Sequence, residues 1–182
     1  MEYGTAGERA ALLALIDAST ERFTATVAAR PGAQVGEPSL LPGWTRGHVL
    51  AHVARSGDAM TGLLAGVRTG VPGTGYASAE AREADIAVGA ARPPAEQLAD
   101  ITASARAFRA EAAALTDDEA RAPVRILTYP EFPTGQVLLR RLAELELHHV
   151  DLGLGYGPSD WPAEYATADL PDPMNAQRAT RR

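Results

Sequence analysis

Residues 136–152 read QVLLRRLAELELHHVDL, and no other segment restricts the fold as much. At about 100° per residue, Leu138, Leu139, Leu142, Leu145, Leu147, Val150 and Leu152 cover most of a helix's circumference. A helix that is apolar nearly all round must lie among other helices rather than on a surface. Yet this one carries a polar stripe of Arg140, Arg141, Glu144, His148 and Asp151. Any fold has to surround the helix and also account for those charges.

The rest of the chain supplies the surrounding helices. A first helix is expected from Ala6 to Ala29, closed by RPG because Pro31 disfavours helical geometry at Arg30. GEPSLLPGW reads as a loop, after which Thr45 caps a second helix running to Arg68. That helix stops before TGVPGTGYAS, and Ser78 caps a shorter one to Arg92. Pro94 suits the first turn of a long helix reaching Arg121. APVRILTYPEFP reads as irregular or briefly extended, and Thr134 caps the apolar helix from Gly135 to Leu154. Aromatic residues make up only 5% of the chain, and β-branched runs are rare, which disfavours strands. The expected fold is all-α, an antiparallel four-helix bundle over residues 1–160 with an extra short helix. Residues 161–182 read as an irregular tail whose RATRR end is frayed.

Composition removes several functional classes. There is no cysteine, hence no disulfide, no thiolate metal site and no protein-borne thiol nucleophile. The net charge of −6 is dispersed, and no basic cluster of nucleic-acid type occurs. The N-terminal stretch lacks a signal-peptide pattern, and no run approaches the roughly eighteen apolar residues of a membrane span. The expectation is a soluble, cytoplasmic domain without nucleic-acid or membrane partners.

All four histidines fall in two stretches, GHVLAHVA and ELELHHVDL. On the second helix, His52 lies within the apolar face of Val49, Val53, Met60, Leu63, Leu64 and Val67, while His48 falls on its flank. Glu144 and His148 are four apart, hence on one face and able to grip one ion, whereas His149 is turned about 100° away. Two readings stay open at this point. The stripe is a solvated face with a weak Glu144–His148 pair, and His52 is a core histidine bonded to a carbonyl. Otherwise His52, Glu144 and His148 together offer three donors, the set with which zinc keeps a fourth position open for catalysis. A buried charged stripe is costly unless paired or bound to metal, which favours the second reading. Trp44 is expected to staple the start of the second helix rather than line a pocket.

SLLPGWTRGHVLAHVARSGDAM taken together with RLAELELHHVDLGLG resembles the metal-binding domain of the mycothiol-dependent maleylpyruvate isomerase family, a branch of the DinB-like helical bundles. The similarity spans roughly residues 8–163. It rests on a histidine in the helix after PGWT and on an R-x-x-E-x-x-x-H-x-x-D-L helix, here Arg141, Glu144, His148, Asp151 and Leu152. The resemblance implies zinc ligands His52, Glu144 and His148, with Glu144 pointing to the isomerase branch where many relatives have a third histidine. It implies that the missing thiol comes from mycothiol, held by zinc as a thiolate. That thiolate would add to the cis double bond of maleylpyruvate and, after bond rotation, leave fumarylpyruvate. Arg141, or Arg140, would pair with a substrate carboxylate or the developing negative charge, the structural alternative being a salt bridge to Glu144 or Asp151. Asp151 would orient the His148 imidazole. A mycothiol S-transferase and a non-catalytic metal-binding bundle are the alternative functions. Longer members of the family carry a second, small α/β domain with a basic residue that assists catalysis. Residues 161–182 are too few for it and read as a remnant, in a single-domain member or a truncated chain.

Overall fold

The fold is described from a computed structural model, for residues 3–30, 35–71, 73 and 75–181. In chain order the elements are α1 (Ala6–Ala28), α2 (Arg46–Thr69), α3 (Ala79–Ala90), α4 (Pro94–Ala113) and α5 (Asp117–Arg121). There follow β1 (Pro123–Val124), β2 (Phe132–Pro133), α6 (Gln136–Asp151), a 3-10 turn at Pro158–Asp160, α7 (Ala163–Thr167) and α8 (Met174–Ala179). The apolar helix of the sequence is α6, and Val137, Leu138 and Leu142 on it are fully buried. Its partners are α1 and α2, while α4 closes the bundle by packing on both of those and α3 lies against α2.

Local chemistry sets the boundaries. Thr5 and Glu8 form a reciprocal capping box at the start of α1, and the Ser78 hydroxyl accepts from the Ala81 N–H at the start of α3. Such caps are worth about 1 kcal/mol each. Gly70, at φ 73°, ends α2 in the left-handed conformation that a side chain disfavours. The RPG stop assigned to α1 lies largely outside the described residues, since Pro31 and Gly32 are among those not described.

Three expectations need correction. The fourth helix does not continue to Arg121. It ends at Ala113, and a Thr116–Glu119 capping box starts the separate α5. Thr134 does not cap α6: its hydroxyl donates to the Ala122 carbonyl at 2.7 Å, and Gly135 holds the N-cap position. The bundle is not antiparallel throughout either. Ser19 and Arg22 meet Glu146, Thr26 meets His149 and Arg30 meets Leu154, so α1 and α6 run in the same direction. Likewise Arg55 meets Asp100 and Arg68 meets Glu111, so α2 and α4 are parallel. Arg46 reaches the Leu152 carbonyl and Arg141 reaches that of Val53, so the two parallel pairs oppose each other. The cause is α3, whose return along α2 brings α4 back to start at the same end.

The segment after α6 also differs from an irregular, frayed tail. Trp161, Tyr165, Leu170 and Met174 are buried against the bundle. Arg178 is buried too, donating to the Tyr165 and Ala168 carbonyls at 2.6 and 2.7 Å. The residues from 123 to 133 form a two-residue antiparallel ladder, Val124 opposite Phe132, as the briefly extended reading allowed. No helix of the described residues is long and apolar enough to cross a membrane.

Candidate metal centre

His52 enters from α2, and Glu144 and His148 from the antiparallel α6. Their donor atoms lie within 4.8 Å of one another. Helical spacing explains the convergence on both sides. His52, Ser56, Ala59 and Met60 repeat at steps of four and three along α2, and Arg140, Glu144 and His148 at steps of four along α6. Both rows face a cavity of about 440 Å³. Gly57 lets α2 pack tightly against α4 and against the Arg141 side chain of α6. A Cβ there would collide with the Ser104 hydroxyl and sit 3.0 Å from Arg141 Nη1.

The other two histidines are engaged elsewhere. His48 Nδ1 lies 2.7 Å from the Thr45 hydroxyl and completes the cap of α2. His149 Nε2 meets the Thr26 hydroxyl at 2.8 Å, and its ring stacks on Tyr156 with centroids 3.7 Å apart. Burial, aided by the charge of Arg22, pushes the pKa of His149 down to about 4, so this imidazole is a neutral packing element.

Electrostatics gives the three converging residues different states. Burial alone would lower the pKa of His148, but the hydrogen bond with Asp151 and the adjacent Glu144 carboxylate outweigh it and raise the value to about 9. Burial would raise that of Glu144, but the neighbouring His52 and His148 charges hold it well below the carboxylate range. The pKa of His52 is lowered, chiefly by burial, against the pull of Glu144. Two carboxylates therefore hold one proton on His148, at a place prepared for positive charge.

The donor set suits a divalent ion on geometric grounds as well. Glu144 Oε2 lies 2.8 Å from His52 Nε2 and 3.3 Å from His148 Nε2. Neither contact has hydrogen-bond alignment, and this buried oxygen lacks a hydrogen-bond partner, as expected where three donors converge on a shared point. His148 Nδ1 is 2.8 Å from Asp151 Oδ2. A carboxylate only accepts, so Asp151 keeps a proton on Nδ1, and an ion that displaces the Nε2 proton meets a lone pair already aimed at it. His52 is held less favourably. Arg82 Nη2 lies 3.0 Å from its Nδ1, and a guanidinium only donates, which puts the His52 proton on Nε2. Ligation through Nε2 requires the other tautomer, with Arg82 turned away toward Glu83, its ion-pair partner.

The two arginines of the sequence stripe separate. Arg140 lines the cavity, its guanidinium 4.1 Å from the Phe132 ring centroid, and no carboxylate pairs with it among the described residues. Arg141, the expected catalytic arginine, is fully buried and donates to the Val53 carbonyl at 2.7 Å. It has no salt bridge to Glu144 or Asp151 and does not line the cavity. Its position cross-links α6 to α2 one residue from His52.

Trp44 does line the cavity, with its ring 5.6 Å from that of His52, which corrects the reading of it as a staple alone. Sequence reasoning missed Tyr76, Arg82, Ile126, Leu127 and the tail residues Met174 and Arg181, all of which line the same cavity. They come from loops, a short helix and segments without periodic pattern, where a sequence carries no orientation signal.

Both the sequence and the fold have counterparts among known proteins. A sequence profile of the mycothiol maleylpyruvate isomerase N-terminal domain matches residues 16–153. Similar solved structures include the crystal structure of the mycothiol-dependent maleylpyruvate isomerase, with a TM-score of 0.82 and 28% sequence identity. The match covers 91% of this chain and 69% of that one. A histidine-to-alanine mutant of the mycothiol-dependent maleylpyruvate isomerase matches with the same values. No match was found among curated proteins. The profile covers most of the chain, and both similar structures are of an enzyme. The chain belongs to the family of the mycothiol maleylpyruvate isomerase N-terminal domain.

Proposed function

We propose that this protein is a zinc- and mycothiol-dependent isomerase of the maleylpyruvate type, with His52, Glu144 and His148 as the zinc ligands. The observation that carries the reading is the convergence of these three donors in a cavity of about 440 Å³. Three protein ligands leave one coordination position for an exogenous group. Bound zinc would supply a thiolate of mycothiol at neutral pH, the nucleophile that a chain without cysteine cannot provide.

The chain's own residues divide the remaining work. Asp151 fixes the His148 tautomer. Arg140, the cavity's unpaired cation among the described residues, pairs with a substrate carboxylate and stabilises negative charge that develops on the substrate. This role passes to Arg140 from Arg141, which holds the two ligand-bearing helices in register. Tyr76 lines the same cavity and keeps its proton, since burial and the charge of Glu144 push its pKa up to about 12. Trp44, Met60 and Ile126 give the cavity an apolar wall that excludes water from the reacting bond.

Purified, zinc-loaded protein assayed with mycothiol and maleylpyruvate tests the reading. Fumarylpyruvate should accumulate while the mycothiol concentration stays constant, and Arg140→Leu should raise KM for maleylpyruvate at unchanged zinc content. Consumption of mycothiol with formation of a thioether would make the protein a transferase instead. Undiminished activity without any thiol would overturn both.

A further inference from the structure

The segment after α6 does more than cover the core. Its residues Pro173, Met174, Gln177 and Arg181 form part of the cavity wall. Arg181 reaches back across thirty residues to Asp151, donating from Nε to Oδ1 at 2.9 Å and from Nη2 to Oδ2 at 2.7 Å. Asp151 in turn meets His148 Nδ1 at 2.8 Å through the same Oδ2. Asp151 is nearly buried, with 3% of its surface exposed, so this forked pair is shielded from solvent on the carboxylate side. Two parallel N–H···O bonds fix the plane of a carboxylate, which a single contact leaves free to rotate.

We propose that Arg181 is a positioning residue of the metal centre, and that the α7–α8 segment is a clasp which sets the orientation of His148 through Asp151. The inference rests on the zinc reading given above. The relay has three members: Arg181 fixes the Asp151 carboxylate plane, Asp151 fixes the imidazole tautomer and ring angle, and His148 presents Nε2 to the ion. Arg181 itself touches no ligand atom. The clasp is seated independently of this relay, because Trp161 Nε1 donates to the Glu146 carbonyl of α6 and Tyr165, Leu170 and Met174 are buried in the bundle's core, while Arg178 ties α8 to α7 through the Tyr165 and Ala168 carbonyls. Loss of the Arg181 side chain should therefore leave the segment docked while freeing the carboxylate.

Chelator competition on the full chain measures zinc affinity directly, without recourse to activity. Arg181→Leu should weaken zinc binding about tenfold, the lower end of the effect of removing a group that orients a metal-bound histidine. Arg181→Lys, which restores the charge but not the fork, should recover only part of it. Asp151→Asn should weaken binding by at least as much, and the Asp151→Asn/Arg181→Leu double variant should be no weaker than Asp151→Asn alone, since one relay is broken twice. With cobalt in place of zinc, the visible ligand-field spectrum should shift in Arg181→Leu, whereas a residue that only stabilises the fold would leave it unchanged. Wild-type affinity and spectrum in Arg181→Leu, or fully additive effects in the double variant, would overturn the inference. Failure of the wild-type protein to bind zinc would instead overturn the reading on which it rests.

Discussion

At the scale of single residues, the centre is decided by what each imidazole already does. His48 is bonded to the Thr45 hydroxyl, and His149 is bonded to Thr26 and stacked on Tyr156, whereas His52 and His148 face Glu144. Elemental analysis should therefore find about one zinc per wild-type chain, lost in His52→Ala, Glu144→Ala and His148→Ala and kept in His48→Ala and His149→Ala. Full zinc in the His52 variant would remove the site. Arg82 works against loading, since it holds His52 in the tautomer that cannot ligate through Nε2 and adds a cation beside the ion. Arg82→Met should tighten zinc binding several-fold in chelator competition, and weaker binding would show that the arginine supports the site. Helical phase made the inward turn of His52 legible in the sequence, together with the separation of His148 from His149. It could not rank Arg140 against Arg141. The two differ by about 100° on a helix that is enclosed on nearly every side, and only the position of α2 shows that one faces Val53 and the other the cavity.

At the scale of elements, the register of α2 against α6 brings His52 to Glu144, and the packing of α2 on α4 and on the Arg141 side chain depends on a residue without a side chain. Gly57→Ala should force the Ser104 hydroxyl and the Arg141 guanidinium aside. The expected loss of stability is about 1–3 kcal/mol, the usual cost of overpacking a core, read from denaturant unfolding. A variant as stable as wild type would mean that the helices separate freely. The long helices were readable because caps and apolar periodicity agreed, as at Thr45 and Ser78. The break between α4 and α5 was also written in the chain, as the capping box of Thr116 and Glu119, but helix-favouring residues on both sides concealed it. The tail was less legible. Its helices α7 and α8 have five and six residues, too short to display a period, and they are stabilised by Trp161, Tyr165 and Met174 docking into a core built by distant sequence.

At the scale of the whole molecule, the core of Leu, Val, Ile and Phe side chains runs through all four long helices, so the expected outcome is a fold that stands without zinc. A chelator should lower the melting temperature yet leave helical circular dichroism intact. Free zinc at a hundred times Kd stabilises by about 2.7 kcal/mol, or roughly 5–11 °C for a chain of this size. Collapse of the helical signal on chelation would make the ion structural and remove the main support for a catalytic role. The sequence indicated an all-α bundle but not its handedness of travel, because whether two helices run the same way depends on where α3 lies, and no local pattern encodes that. The spread of the donors along the chain has a further effect during synthesis. His52 leaves the ribosome about ninety residues before Glu144, a lag of roughly 5–18 s at ordinary elongation rates, and Arg181 follows some thirty residues behind His148. For that interval the nascent chain lacks two of the three donors of the proposed site, having only His48 and His52 of its four histidines. On the zinc reading, the full donor set exists only once α6 has packed on α2, which leaves the choice of ion to the finished cavity.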